Sequence, residues 1–202
     1  MNEIIDILRK LITNPESELE FNSHYELMVA VMLSAQCTDK RVNIITKELF
    51  KVANTPESMI KLSIEELESY IKSCNYYHNK AKSILNASRD LVEKFNGQVP
   101  SNYQDLISLS GVGNKTANVI LAVGFNQNAL PVDTHVLRVS NRLGFVNTDN
   151  PTKCELKLKD IFKNGDYKEI HHLLLLFGRY YCTARNPKCN DCVLKNYCQK
   201  EK

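Results

Sequence analysis

Residues 109–118 read Leu-Ser-Gly-Val-Gly-Asn-Lys-Thr-Ala-Asn, a glycine turn set between two helical runs. The chain has only seven glycines, and two of them, Gly111 and Gly113, stand one residue apart just before Lys115. Upstream, residues 102–109 have helical character. Downstream, Ala117, Ile120, Leu121 and Gly124 fall at i, i+3, i+4 and i+7, the spacing of one helix face. Glycine accepts positive φ and lets backbone approach a ligand closely, so a Gly-x-Gly turn feeding a helix start presents amides backed by the helix dipole, and an anion fits there. The same turn also serves as a plain tight connection between two helices. Leu109 and Val112 bracket the glycines as hydrophobic anchors, which favours a built anion site.

Lys115 falls in the first turn of the second helix. An exposed lysine there can serve solubility alone. It also suits a nucleophile: a free amine with a pKa near 10.4 is neutral in only about one molecule in a thousand at physiological pH. A positive helix end and partial desolvation both disfavour an ammonium ion. Asp133, in Pro131-Val-Asp-Thr-His135, is a matching acid–base group. It precedes the apolar-periodic run Val136, Leu137, Ser140 and Leu143, so it reads equally well as a helix N-cap.

Outside this region the pattern is helical almost throughout. Ile4, Ile5, Leu8, Leu11 and Ile12 form one stripe, and Ile64, Leu67, Tyr70 and Ile71 another. Ser63-x-x-Glu66 and Thr152-x-x-Glu155 both read as capping boxes. A helix through Ile84, Leu85, Leu91 and Phe95 stops near Asn96-Gly97. No stretch alternates with period two between hairpin turns, and short Pro, Gly or Asn breaks separate the segments. The expectation is an all-α chain of about ten or more helices.

With 202 residues, the chain can bury one generous core or two small ones. A formal charge of +3 permits a polyanionic partner without requiring one. The N-terminus is an amphipathic helix without a signal-peptide core, and no apolar run reaches the roughly 18 residues that a membrane span needs. A cytoplasmic protein is expected.

Seven cysteines in such a chain argue against a disulfide framework. Four of them, Cys182, Cys189, Cys192 and Cys198, form Cys-x6-Cys-x2-Cys-x5-Cys within 17 residues, which points to a metal. Zinc sites usually pair two short Cys-x2-4-Cys units and this tail has one, so the wider loops favour an iron–sulfur cluster, with zinc as the alternative. Cys37, Cys74 and Cys154 read as buried small apolar residues.

Together, Leu-x-Gly-Val-Gly-x-Lys-Thr-Ala (109–117), Val-Asp-Thr-His (132–135) and the four-cysteine tail resemble the endonuclease III family of DNA repair glycosylases. The likeness runs from about His24 to Cys198 and includes Leu33-Ser-Ala-Gln36, Val52-Ala-Asn-Thr-Pro56, His171-His172 and Gly178-Arg-Tyr180. It implies an all-α, two-domain helix-hairpin-helix DNA glycosylase fold. A six-helix barrel would span residues 17–127, with the helix-hairpin-helix at about 102–124. A helical [4Fe–4S] cluster domain would be built from 1–16 and 128–202, and the cleft between the domains would hold DNA.

The implied activity is that of a bifunctional DNA glycosylase and AP lyase of base excision repair. It would remove oxidised pyrimidines through a lysine Schiff base and nick 3′ to the abasic site by β-elimination. Lys115 and Asp133 would be catalytic, and Cys182, Cys189, Cys192 and Cys198 would hold the [4Fe–4S] cluster. DNA contacts would come from Gln36, Tyr76, Gly111, Gly113, Thr116, Arg185 and Lys188. The partner would be double-stranded DNA containing damaged bases or abasic sites, met by a monomer in the cytoplasm, on the nucleoid of a prokaryote, with no membrane involved.

Three positions depart from the family pattern. Tyr76 replaces the intercalating leucine, Asn75 an expected glycine, and Asn186 a basic residue. Two rival readings are weighed against this one. An adenine-excising relative lacks the hairpin lysine and carries a catalytic glutamate where this chain has Ala30. A catalytically silent helix-hairpin-helix module would bind DNA with a steep salt dependence but would not cleave it.

Overall fold

The structure, a computed structural model, describes residues 2–163 and 165–199. The described residues hold eleven α-helices and no strand. They fall into two compact units, one of Glu18–Asn126 and one of Met1–Ser17 with Gln127–Lys202.

The first unit carries α2 (His24–Ser34), α3 (Asp39–Leu49), α4 (Pro56–Met59), α5 (Ile64–Ile71), α6 (Tyr77–Lys94), α7 (Tyr103–Ser108) and α8 (Asn114–Val119). Of these α4 is a single turn. α2 is its central helix: Tyr25 through Leu33 are all buried, so it has no polar face and must be surrounded. The fully buried Leu27, Met28, Leu49, Leu67, Ile71, Ile84, Leu91 and Leu106 belong to this core.

Its helix starts are written locally. The Ser63 hydroxyl accepts from the Glu66 amide at 3.1 Å, and the Glu66 carboxylate accepts from the Ser63 amide at 2.7 Å, the reciprocal box expected from the sequence. Ser23, Thr38 and Asn102 cap α2, α3 and α7 through the side-chain acceptor alone. α6 stops before Asn96 and Gly97, both at positive φ, and the Gly97 amide closes onto the Leu91 carbonyl at 2.8 Å.

The second unit carries α1 (Asn2–Leu11), α9 (Thr134–Arg142), α10 (Pro151–Ile161), α11 (Tyr167–Tyr180) and a 3₁₀ turn (Lys195–Tyr197). Its core joins Ile4, Ile5 and Leu8 of α1 to Val136 and Val139 of α9, Leu158 of α10, and Leu173, Leu174 and Phe177 of α11. The first helix of the chain is thereby tied to the C-terminal half. Arg9 adds a two-point contact to Glu169, with Nε and Nη2 donating at 2.8 and 2.7 Å.

Three sequence expectations are corrected here. Thr152-x-x-Glu155 is not a capping box: Asn150 caps α10, accepting from the Lys153 amide at 3.1 Å, and Pro151 takes the first turn. Proline there lacks the amide that would otherwise be orphaned, so the Asn-Pro start prevails, and Glu155 pairs instead with Lys159 at 2.6 Å. The stripe of α8 does not continue as regular α-helix, because Ile120–Gly124 form a π-helical turn. Cys37 is half-buried rather than buried, and its sulfur lies 3.2 Å from that of Cys74.

Candidate active site and cluster loop

The hairpin between α7 and α8 is held from below by apolar side chains and across its top by amides. Leu109 and Val112 are buried at 2% and 5% exposure. Asn114 Oδ1 accepts from the Tyr103 hydroxyl at 3.1 Å and from Asn118 Nδ2 at 2.8 Å, tying the first turn of α8 to α7.

The two glycines do different work. Gly111 has φ +76°, and a Cβ there would stand 2.6 Å from Ser83 Cβ and 3.0 Å from Met32 Cε, so the position excludes a side chain twice over. Gly113 is the N-cap of α8 with φ −91°, and a Cβ on it would meet nothing within 4 Å. Neither backbone conformation nor packing requires glycine at 113; what it leaves is bare, open backbone at the start of a helix. Lys115 follows in the first turn and is exposed, so the unit itself does not bury this amine as the sequence reading expected. Thr116, beside it, is half-buried.

Gln36 and Tyr76 lie in the same unit, in two adjoining connections. Gln36 is exposed with φ +53°, and its carbonyl accepts from Asn75 Nδ2 at 2.9 Å. Tyr76 has φ +59° and is 63% exposed, an aromatic ring standing free at the head of α6. Two non-glycine residues in left-handed backbone, one beside the other's loop, mark a locally constrained surface. Beneath them Lys80 is 8% exposed, and its Nζ donates to the carbonyls of Leu33 at 2.8 Å and Ala35 at 2.6 Å. Sequence reasoning missed this buried lysine, since a lysine in a helix ordinarily signals a solvated face.

Asp133 belongs to the second unit. It is the N-cap of α9, with Oδ1 accepting from the amides of His135 and Val136, both at 2.8 Å. The N-cap reading is therefore real, and it holds the half-buried carboxylate in one orientation.

The cysteine loop follows α11. The four residues Cys182, Cys189, Cys192 and Cys198 are all free and half-buried. Burial first, with smaller electrostatic contributions from Cys182, Cys198 and Cys189, pushes the Cys192 thiol pKa up. Four half-buried thiols on one loop are a chemically fitting donor set for an iron–sulfur cluster, whose irons take thiolate ligands. Among the described residues no three His, Cys, Asp or Glu side chains gather as ligands to one metal ion would.

Two arginines one turn apart on α9 brace this loop, and neither was singled out from the sequence. Arg142 Nη1 donates to the Cys182 sulfur at 3.2 Å and to the Thr183 carbonyl at 2.8 Å. Arg138 donates to the carbonyls of Cys182 at 3.1 Å and Gly178 at 2.8 Å. Arg185 and Lys188 are exposed on the first segment of the loop, with the Lys188 ammonium 5.4 Å from the centre of the Tyr181 ring. Asn186, between them, has φ +50°, a conformation that asparagine tolerates better than most side chains.

Known DNA repair proteins are similar to this chain. The family described as HhH-GPD superfamily base excision DNA repair protein matches residues 29–164, and the iron–sulfur binding domain of endonuclease III matches residues 182–198, from first cysteine to last. The fold and hairpin thus define a base excision repair protein of the helix-hairpin-helix class. Endonuclease III of Haemophilus influenzae is 46% identical over 99% of this chain and 95% of its own length. That of Escherichia coli K12 is 43% identical over 99% and 95%. A solved structure of a trapped endonuclease III–DNA covalent intermediate superposes with a TM-score of 0.95 at 42% identity, covering 98% of this chain and 93% of that one. The chain belongs to the endonuclease III family, and is a bifunctional DNA glycosylase and AP lyase of base excision repair whose cofactor is a [4Fe–4S] cluster.

Proposed function

We propose that Lys115 is the nucleophile of this reaction and Asp133 the carboxylate that serves its proton transfers, acting on oxidised pyrimidines and abasic sites in double-stranded DNA. The observation that carries the reading is the pairing of an exposed Lys115 with open glycine backbone two residues before it. A phosphate can approach Gly113 with no side chain in the way, which holds the neighbouring sugar at the amine.

A damaged base leaves the stack at a cost of a few kcal/mol, less when it already stacks poorly. The neutral amine of Lys115 bonds to C1′ as the C1′–N bond to the base breaks, and the base departs with the proton it needs. Loss of a further proton from the amine and opening of the sugar ring give a Schiff base. Removal of a proton from C2′ then expels the 3′ phosphate, which is β-elimination. Asp133, oriented by two amides, suits proton transfer and stabilisation of the cationic intermediate.

Around this chemistry Gly111, Gly113 and Thr116 contact the backbone of the damaged strand. Gln36 enters the duplex and Tyr76 stacks on exposed bases, as aromatic rings do on any base. Arg185 and Lys188 hold phosphates. Cys182, Cys189, Cys192 and Cys198 ligate the cluster, which when bound makes this loop rigid. The protein acts as a monomer on chromosomal DNA in the cytoplasm. Among the described residues no helix is long and apolar enough to cross a membrane.

Borohydride reduction tests the central step. The wild-type protein should be captured covalently on duplexes carrying an abasic site or an oxidised pyrimidine, and Lys115→Gln should not. Capture of the glutamine variant would reassign the nucleophile. DNA binding without any nicking by the wild-type protein would favour the silent binding module instead.

A further inference from the structure

The two connections that carry Gln36 and Tyr76 also carry two cysteines outside the cluster loop. Cys37 lies between Gln36 and the N-cap of α3, and Cys74 lies two residues before Tyr76, between α5 and α6. Cys74 is 2% exposed, whereas Cys37 is half-buried and so reachable from solvent. The Cys74 thiol donates to the Cys37 sulfur at 3.2 Å. The Asn75 to Gln36 bond at 2.9 Å holds the same two connections side by side.

This is not an inert pair of core thiols. Both sulfurs are near enough to Lys80 to act on it electrostatically, though burial is the larger influence and lowers its pKa, and Arg41 acts on Cys74 in the same way. Burial, then the bond to Cys37, pushes the Cys74 thiol up to about 12, so Cys74 keeps its proton and offers it to its neighbour. Cys37 is thus the sulfur that accepts a hydrogen bond and is open to small oxidants, the setting in which a thiol is oxidised selectively. Cys74 is already in place as the resolving partner. A disulfide needs the sulfurs at about 2.05 Å, roughly 1 Å closer than they now stand.

We propose that Cys37 and Cys74 form a reversible disulfide on exposure to peroxide, and that this bond resets the posture of the Gln36 and Tyr76 connections and slows DNA cleavage. The Cys37 thiolate attacks one peroxide oxygen and the O–O bond breaks. Hydroxide leaves and takes a proton as water, and Cys37 becomes a sulfenic acid. The Cys74 sulfur then bonds to the Cys37 sulfur. The S–O bond breaks, and the hydroxyl departs as water with the Cys74 proton. Two thiols and one peroxide become one disulfide and two waters, and a dithiol reverses the change.

The effect on cleavage rests on the DNA-contacting role proposed above for Gln36 and Tyr76; formation of the bond does not. A shift of about 1 Å in groups that position a substrate is enough to cost tenfold or more in rate.

The test uses the cluster-loaded protein treated with a few equivalents of hydrogen peroxide. Peptide mass spectrometry should find a Cys37–Cys74 linked peptide, and nicking of abasic-site DNA should fall roughly tenfold and recover with dithiothreitol. Cys37→Ser and Cys74→Ala, two variants of different burial, should keep their nicking rate through the same treatment. They also separate this effect from any peroxide damage to the cluster, which all three proteins share. Conversion of Cys37 to a sulfinic acid without the linked peptide would overturn the proposal. So would a linked peptide with unchanged nicking, or an equal loss of rate in wild type and both variants. If the untreated protein nicks nothing, the reading of the active site fails while the peptide result still decides whether the bond forms.

Discussion

The hairpin at 109–115 and the cysteine loop at 182–198 are both short, irregular connections, yet they are built by opposite means. The hairpin is held by the chain's own packing: Leu109 and Val112 are buried, and Gly111 sits where no side chain could. The cysteine loop, apart from one 3₁₀ turn, has no regular structure and few buried side chains. Its backbone carbonyls go to Arg138 and Arg142, and its four cysteines are free and half-buried. A connection that must place bare backbone and one amine can be folded by core contacts alone. One that must hold a cofactor leaves part of its stabilisation to that cofactor.

The contrast breaks first at Lys115. Lys115→Gln should lower the nicking rate by roughly 10⁴-fold, as loss of a covalent nucleophile does, in a steady-state assay. The same variant should melt at the wild-type temperature, because the side chain is exposed. Reduced activity with an equally reduced melting temperature would mean that the residue holds the hairpin rather than attacks the sugar.

The two glycines sharpen the hairpin side. Gly111→Ala must enter left-handed backbone and press on Ser83, so it should destabilise the protein by about 2–4 kcal/mol in a denaturant titration. Gly113→Ala should leave stability within about 0.5 kcal/mol, because its Cβ meets nothing. It should instead weaken binding to abasic-site DNA by about tenfold, the loss of one backbone contact to a phosphate. Equal stability losses for the two substitutions would erase the distinction between a packed glycine and an open one.

On the other side of the comparison, Arg142→Ala removes charged donors to the Cys182 sulfur and the Thr183 carbonyl. Each such bond contributes about 1.5–3 kcal/mol, so the loop should loosen while the hairpin stays intact. The expected readout is faster loss of visible absorption under a chelator, preceding any loss of helix by circular dichroism. Retention of the cluster at the wild-type rate would show that the cysteines alone suffice.

The smallest effect comes from His172, buried in α11 of the cluster unit with Nδ1–H donating to the Lys168 carbonyl at 2.8 Å. Burial pushes its pKa down from 6.5. Below that value the unfolded chain takes up a proton that the folded one resists, so this contribution is complete above about pH 6.5 and falls as the pH drops. Thermal melts between pH 7 and pH 5 should show the decline, and His172→Gln should flatten it. A slope unchanged in the variant would assign the pH dependence to other groups.

Local features were legible without the fold. The helical periods, the Ser63–Glu66 capping box, the stop at Asn96-Gly97 and the Gly-x-Gly turn all report interactions between residues a few positions apart, and such interactions are written in sequence order. The four-cysteine loop belongs here too, because its cysteines lie within 17 residues and leave a chemical signature that needs no partner. Even so, Thr152 shows the limit: two cap signals overlapped, and the Asn150-Pro151 start prevailed.

Which residues meet across distance emerged with the packing of the helices. Lys80 reads as a solvated lysine until the carbonyls of Leu33 and Ala35 are found beneath it. Arg138 and Arg142 read as helix surface until the cysteine loop folds over them. Cys37 and Cys74, 37 residues apart in the chain, became a pair only when two helix connections were laid side by side. The reason is physical: a side chain's burial and partners are set by the packing of distant elements, and residue type and spacing carry no record of them.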